Sequence, residues 1–139
     1  MDLASAEKEI RQLLETSNFM SYYGFRLHAV GEGECSIEVP SQPIFERPGG
    51  VVNGPVFMAA ADCTLWFAIM TRLEREEAHH SVTAEMKTSF VGGGRYGPFL
   101  CTARILKLGR RLIYGIAECT DSQGKLVTHH TLTYIRPDR

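Results

Sequence analysis

From Pro55 to Thr71 the chain reads PVFMAAADCTLWFAIMT, and Asp62 is the only charged residue between Arg47 and Arg72. No other segment constrains the fold as strongly. The run is short for a membrane span and carries a carboxylate near its middle, so a buried core helix is the expectation. Pro55 is suited to open that helix, because its fixed φ fits the first turn and its missing N–H is not needed there. Polar residues return at Arg72, Glu74, Arg75 and Glu76, so the spacing predicts a helix from about Pro55 to Arg75. A helix that is apolar on every side must be covered on every side. One sheet can curl around most of it, and a partner subunit would cover the rest.

The remaining segments supply such a sheet. Residues 3–17 carry Leu3, Ile10, Leu13 and Leu14 near one helical face, and Ser17-Asn18 is expected to end that helix. Phe25 to Val30, a Gly31-Glu32-Gly33 turn and Glu34 to Val39 read as a hairpin, in which Cys35, Ile37 and Val39 alternate with polar residues. Pro40 to Gly50 reads as a loop. Beyond the long helix, 81–90, 99–107, 111–120 and 125–135 read as four strands forming an antiparallel meander. In the first of them Val82, Ala84, Met86 and Phe90 are expected to share a face. The fold class is therefore α+β, one curved antiparallel sheet wrapped around a long apolar central helix.

With 139 residues the chain fits one domain, and a net charge of −1 leaves no basic field for nucleic acid or an anionic membrane. Any anionic ligand must be held by a local cluster, and Lys107, Arg110 and Arg111 around Gly109 form one. The same residues also suit a plain solvated turn. Cys35, Cys63, Cys101 and Cys119 lie in apolar surroundings without C-x-x-C spacing, as buried free thiols of a reducing, cytoplasmic compartment would. The first residues lack the pattern of a secretory signal. The His79-His80 and His129-His130 pairs are adjacent in sequence and point apart. With no HExxH or Cys/His spacing, no metal is expected. Gly92-Gly93-Gly94 lacks the Gly-Lys-Ser/Thr of a P-loop, and no Gly-x-Ser-x-Gly elbow is present.

Asp62 is the leading chemical candidate. A carboxylate set into an apolar helix acts as a general base or a nucleophile, or else satisfies a nearby backbone group or Thr hydroxyl. Asn53-Gly54-Pro55 is the second candidate, since the Gly54 N–H at a helix N-terminus can stabilise an oxyanion. Asp62 lies eight residues after Gly54, roughly 12 Å of axial rise. A catalytic pair would then combine Gly54 of one subunit with Asp62 of another.

The run from Val52 to Asp62 resembles the helix signature of hotdog-fold thioesterases, the phenylacetate-degradation (PaaI-like) and 4-hydroxybenzoyl-CoA groups. Their usual pattern is His-Gly-Gly, six residues, then Asp or Glu. Here Asn53 stands at the His, Pro55 stands at the second Gly, and the spacing to Asp62 is kept. The segments 81–86, 107–112 and 121–126 resemble the same family's strands and turns. The resemblance implies a hotdog fold, with an N-terminal helix over 1–18 and a thioesterase domain over 19–139 in a single-domain chain. It implies hydrolysis of an acyl-coenzyme A thioester without a cofactor, in a homodimer or dimer of dimers. Asp62 would be the catalytic carboxylate, as nucleophile or base, and Gly54 the oxyanion donor. Asn53 would hold part of the loop-orienting role of the His. Arg47 falls where relatives place Asn or Gln, and would act on the oxyanion, on Asp62 or on an acyl carboxylate. Lys107, Gly109, Arg110 and Arg111 would bind coenzyme A phosphates, with Thr83, Phe90 and Gly92 lining the same groove, and Trp66 would shorten the acyl pocket. A hotdog hydratase would need a His on the central helix, and none lies in 50–78. A non-catalytic acyl-CoA binding protein is the alternative.

Overall fold

The computed structural model describes residues 1–138. Helix α1 (Leu3–Thr16) opens on Asp2, whose side chain accepts from Ser5 N at 2.7 Å, and buries Ala6, Ile10 and Leu14. Ser17 ends α1 and caps a second short helix, α2 (Asn18–Tyr23), where the sequence suggested only a connection. Strands β1 (Arg26–Gly31) and β2 (Glu34–Val39) form the expected hairpin. The Pro/Gly-rich loop is more ordered than anticipated. A 3-10 turn (Pro43–Phe45) leads into a two-residue ladder of β3 (Glu46–Arg47) and β4 (Val51–Val52).

The long helix α3 (Gly54–Met70) stops five residues before the expected Arg75. Thr71 is the cause. Its hydroxyl donates to Ala68 O at 2.7 Å and accepts from Gly33 N at 2.7 Å, locking the chain into a turn beneath the β1–β2 hairpin. A separate helix α4 (Arg75–His79) follows, fastened to α3 by Trp66 Nε1, which donates to Ala78 O at 2.8 Å.

Strands β5 (Val82–Phe90), β6 (Phe99–Leu108), β7 (Leu112–Thr120) and β8 (Leu126–Ile135) complete a six-stranded antiparallel sheet in the order β1-β2-β6-β7-β8-β5. The fold class and the hotdog arrangement are as expected. The four-strand meander is not: β6-β7-β8 is one, but β5 pairs with β8 at the edge, which joins β6 to β2 at the centre. Residues buried against α3 come from β2 (Ile37, Val39), β6 (Phe99, Cys101), β7 (Ile113, Cys119) and β8 (Leu132, Tyr134). One stripe of α3 stays less covered: Pro55 is exposed, and Met58, Ala59, Asp62 and Trp66 are half-buried. Their three- and four-residue spacing puts them on one helical face, which the sheet leaves open.

A bulge in β5 overturns one expectation about that strand. Thr83 pairs with Tyr134 and Glu85 with Thr133, so the register slips at Ala84. One extra residue exchanges the faces of everything before it relative to everything after it. Thr83, Met86, Thr88 and Phe90 therefore stand opposite the inward residues of β8, in place of the predicted set with Val82 and Ala84. Among the described residues no helix is long and apolar enough to cross a membrane.

Candidate functional site

Asp62 sits in the open stripe of α3 and meets the end of the sheet. Thr83 Oγ1 donates to its Oδ1 at 2.7 Å, and the Tyr134 hydroxyl donates to the same oxygen at 2.6 Å. Tyr134 also lies 3.0 Å from the Asp62 carbonyl oxygen, so it grips both ends of the residue. Burial, followed by the charge of Asp62 beside it, pushes the Tyr134 phenol well above its ordinary value, which keeps it a proton donor. One carboxylate oxygen is thus fixed by two hydroxyls. Oδ2 takes no hydrogen bond from the described residues.

These groups line a cavity of about 350 Å³ with Cys63, Trp66, His79, Ser81 and Val82. Its walls are mixed: Trp66, Val82 and Cys63 are apolar, and Asp62, His79, Ser81 and Thr83 are polar. Burial, then the neighbouring charge of Asp62, lifts the Cys63 thiol to about 12, so it is no competing nucleophile at neutral pH.

Gly54 lies at the other end of the stripe. Asn53 turns the chain into α3, its N–H donating to Phe45 O at 2.9 Å and its side-chain Nδ2 donating to the same oxygen at 3.0 Å. These two hydrogen bonds tie the helix start to the 3-10 turn. A Cβ added at Gly54 would stand 2.7 Å from Phe90 Cε1, so only glycine lets the ring cover the helix N-terminus. As the first residue of α3, Gly54 has an N–H without an intrahelical acceptor. Gly54, Phe90, Gly92 and the exposed Arg47 line a second cavity, of about 280 Å³.

The basic turn is a third place. Arg110 and Arg111 line a cavity of about 530 Å³ with Arg136, Pro137 and Asp138, and Lys107 is not part of its lining. Arg136 is committed elsewhere. It donates to Glu77 through Nε at 3.0 Å and Nη2 at 2.9 Å, and to Gly109 O through Nη1 at 2.7 Å. Among the described residues the Arg111 guanidinium has only a long, exposed contact of 3.5 Å with Asp138, while its carbonyl accepts from Arg136 N at 2.8 Å.

Within one chain the predicted residues thus fall into three separate groups. Thr83 belongs with Asp62, Phe90 and Gly92 with Gly54 and Arg47, and Arg110 and Arg111 with neither, so the expected single groove is not formed inside a protomer. Sequence reading missed Tyr134, which looks like any apolar position of an alternating strand. It also missed His79. That residue belongs to α4 and takes Glu9 of α1 as its partner, so it is no member of a splayed pair. Only the strand register or a contact across 70 residues reveals either of them.

Residues 49–128 match the family model described as the thioesterase superfamily. A Saccharolobus solfataricus protein bearing the name "Putative esterase" is 34% identical over 95 residues, which are 68% of this chain and 66% of that one. A Thermoplasma acidophilum protein of the same printed description is 23% identical over 91% of this chain and 94% of its own. The fold is shared with a thioesterase family protein from Silicibacter pomeroyi (TM-score 0.86, 19% identity, 94% and 97% of the two chains). It is shared equally with the PaaI protein of the E. coli phenylacetic acid degradation operon (TM-score 0.85, 16% identity, 97% and 95%).

Proposed function

The chain is a member of the thioesterase superfamily, and from that premise we propose that it hydrolyses an acyl-coenzyme A thioester to the free acid and coenzyme A. The observation that carries the reading is Asp62, held by Tyr134 and Thr83 through one oxygen and free at the other, in a cavity of acyl-chain size. Oδ2 attacks the thioester carbonyl or takes the proton of a water that does. The carbonyl oxygen needs a donor as it gains charge, and the Gly54 N–H is the donor at hand.

In one protomer Gly54 and Asp62 line different cavities, about two turns apart on one helix. The proposed working unit is therefore a homodimer, or a dimer of dimers, in which the open stripes of two α3 helices face each other. Gly54, Asn53, Phe90, Gly92 and Arg47 of one chain then complete the Asp62 cavity of the next. Arg110 and Arg111 are the cations proposed to hold the nucleotide phosphates. The free, buried thiols fit a reducing cytoplasm.

The test is turnover of a small acyl-CoA panel by the wild type and by Asp62→Asn. The substitution keeps the size of the side chain and an acceptor for Tyr134, but removes the base or nucleophile. Hydrolysis should fall by ~10²-fold or more with the melting temperature little changed. Turnover near the wild-type rate in the variant would overturn the assignment of Asp62. Binding without turnover in the wild type would make the chain an acyl-CoA binding protein instead.

A further inference from the structure

The proposed mechanism leaves one built feature of the Asp62 cavity unused. His79 lines that cavity, and its Nε2 is hydrogen-bonded to Glu9 Oε1 of α1. The same carboxylate takes Arg75 Nε at 3.2 Å through its other oxygen, and its side chain is only 15% exposed. Glu9 is thus held from two sides, and it in turn holds the imidazole. The His79 ring lies beside Trp66, with ring centroids 5.9 Å apart. Trp66 is one helical turn beyond Asp62 on the open face of α3, so His79 stands at the end of the cavity away from Gly54. His79 Nδ1 makes no hydrogen bond with the described residues. Ser81 and Val82 lie at the same cavity.

We infer that His79, oriented by Glu9, is a specificity residue that receives a hydrogen bond from a hydroxyl group carried on the acyl chain of the substrate. The inference rests on the acyl-thioester reading of the cavity and names the acyl class it selects. A carboxylate only accepts, so the shared proton of the Glu9–His79 bond belongs to Nε2. With Nε2 engaged by Glu9, Nδ1 is the ring nitrogen left to accept a hydrogen bond. A lone pair needs a donor. Of the oxygen groups an acyl chain can carry, a hydroxyl donates, whereas a keto group or carboxylate only accepts. An unsubstituted chain lying along the cavity would offer Nδ1 no partner, and a site built to pair a polar group rejects ligands that lack it. The apolar walls of Trp66, Val82 and Cys63 suit the carbons between the thioester and the hydroxyl.

The test uses three matched sets of coenzyme A thioesters: hexanoyl, hydroxyhexanoyl and oxohexanoyl, the oxygen moved in turn along the carbons beyond the second. Two readouts run in parallel. One is thiol release. The other is fluorescence of Trp66, the only tryptophan of the chain, titrated with non-hydrolysable analogues that carry a methylene between sulfur and carbonyl. At the best position the hydroxyl compound should bind and react about tenfold better than both others. His79→Leu should bring that ratio to near one. Glu9→Gln is the second variant. Its carboxamide can donate to Nε2, moving the proton to Nδ1, so the hydroxyl-over-oxo ratio should fall or invert while a purely structural clamp would leave it unmoved. A wild-type ratio near one at every position, or a ratio that survives in both variants, overturns the inference. If the fluorescence ratio holds and no thioester is hydrolysed, the hydrolase reading falls and the role of His79 stands. If hydrolysis proceeds without preference, the reverse is true.

Discussion

Tyr134 shows how one hydroxyl can define a site. Buried on β8, it donates to Asp62 Oδ1 at 2.6 Å and shares that oxygen with Thr83 at 2.7 Å. Hydrogen bonds to a charged acceptor contribute roughly 1.5–3 kcal/mol when well formed. Tyr134→Phe keeps the ring and its packing but frees Oδ1 to rotate. The expected outcome is a fall in kcat of about tenfold or more with a small change in melting temperature, measured by steady-state kinetics and thermal unfolding. A kcat at the wild-type level would mean that Thr83 alone fixes the carboxylate. Asn53 carries a related lesson. It supplies no side-chain cap to α3 and spends its Nδ2 on Phe45 O, so its part is to hold the entry loop in place.

Among the elements, the β6–β7 turn is tethered by a residue that lies outside it. Arg136, just beyond β8, reaches Gly109 O at 2.7 Å and forms a two-pronged pair with Glu77 of α4. The pair has side-chain exposures of 13% and 15%, so it is a tether between sheet and helix and is unavailable to a ligand. The turn cations proposed to hold phosphates are then Arg110 and Arg111. Replacing both by Ala should raise KM for an acyl-CoA by about tenfold or more and leave kcat nearly unchanged, because such contacts form equally in ground and transition states. An acyl-pantetheine, which lacks the nucleotide, should be scarcely affected. Equal damage to both substrates, measured by initial rates, would make the turn structural. Salt should weaken the effect, since both side chains are exposed.

At the scale of the molecule, the open stripe of α3 and the edge strand β5 belong together. Val82, Phe90 and Val91 are 58%, 56% and 57% exposed along that edge. An uncovered edge with apolar side chains is a pairing surface. Sedimentation equilibrium at micromolar concentration should give a dimer or a multiple of it, with activity lost on dilution to monomer. An active monomer would contradict the proposed sharing of Gly54 and Asp62 between chains. The mixed doublet Asp62→Asn with Gly54→Ala gives a second check. The Asp62→Asn homodimer should be inactive and the Gly54→Ala homodimer impaired, because the added Cβ pushes Phe90 off the helix start although the N–H remains, and co-folding the two variants should restore up to about a quarter of the activity if sites combine groups from two chains of a symmetric dimer. A Gly54→Ala chain must first displace Phe90, so its melting temperature is measured alongside.

The amino-acid sequence alone carries the fold class. A helix apolar on all faces has few ways to be buried, and six alternating segments of strand length supply the sheet that buries it. It also singled out Asp62, because one charge in such a helix stands out whatever surrounds it. Helix ends, strand order and the rest of the site were decided by tertiary structure. The Gly33 N–H fixes Thr71 where α3 ends, and β5 leaves the meander because β2 takes the place beside β6. The bulge at Ala84 turns Thr83 inward onto Asp62, and the register of β8 brings Tyr134 to the same oxygen. His79 becomes a cavity residue only through Glu9 of α1. Such contacts join positions tens of residues apart, and no local propensity or period carries them. Hydrophobic pattern is a property of the chain, whereas hydrogen-bond partnership exists only after the chain has folded.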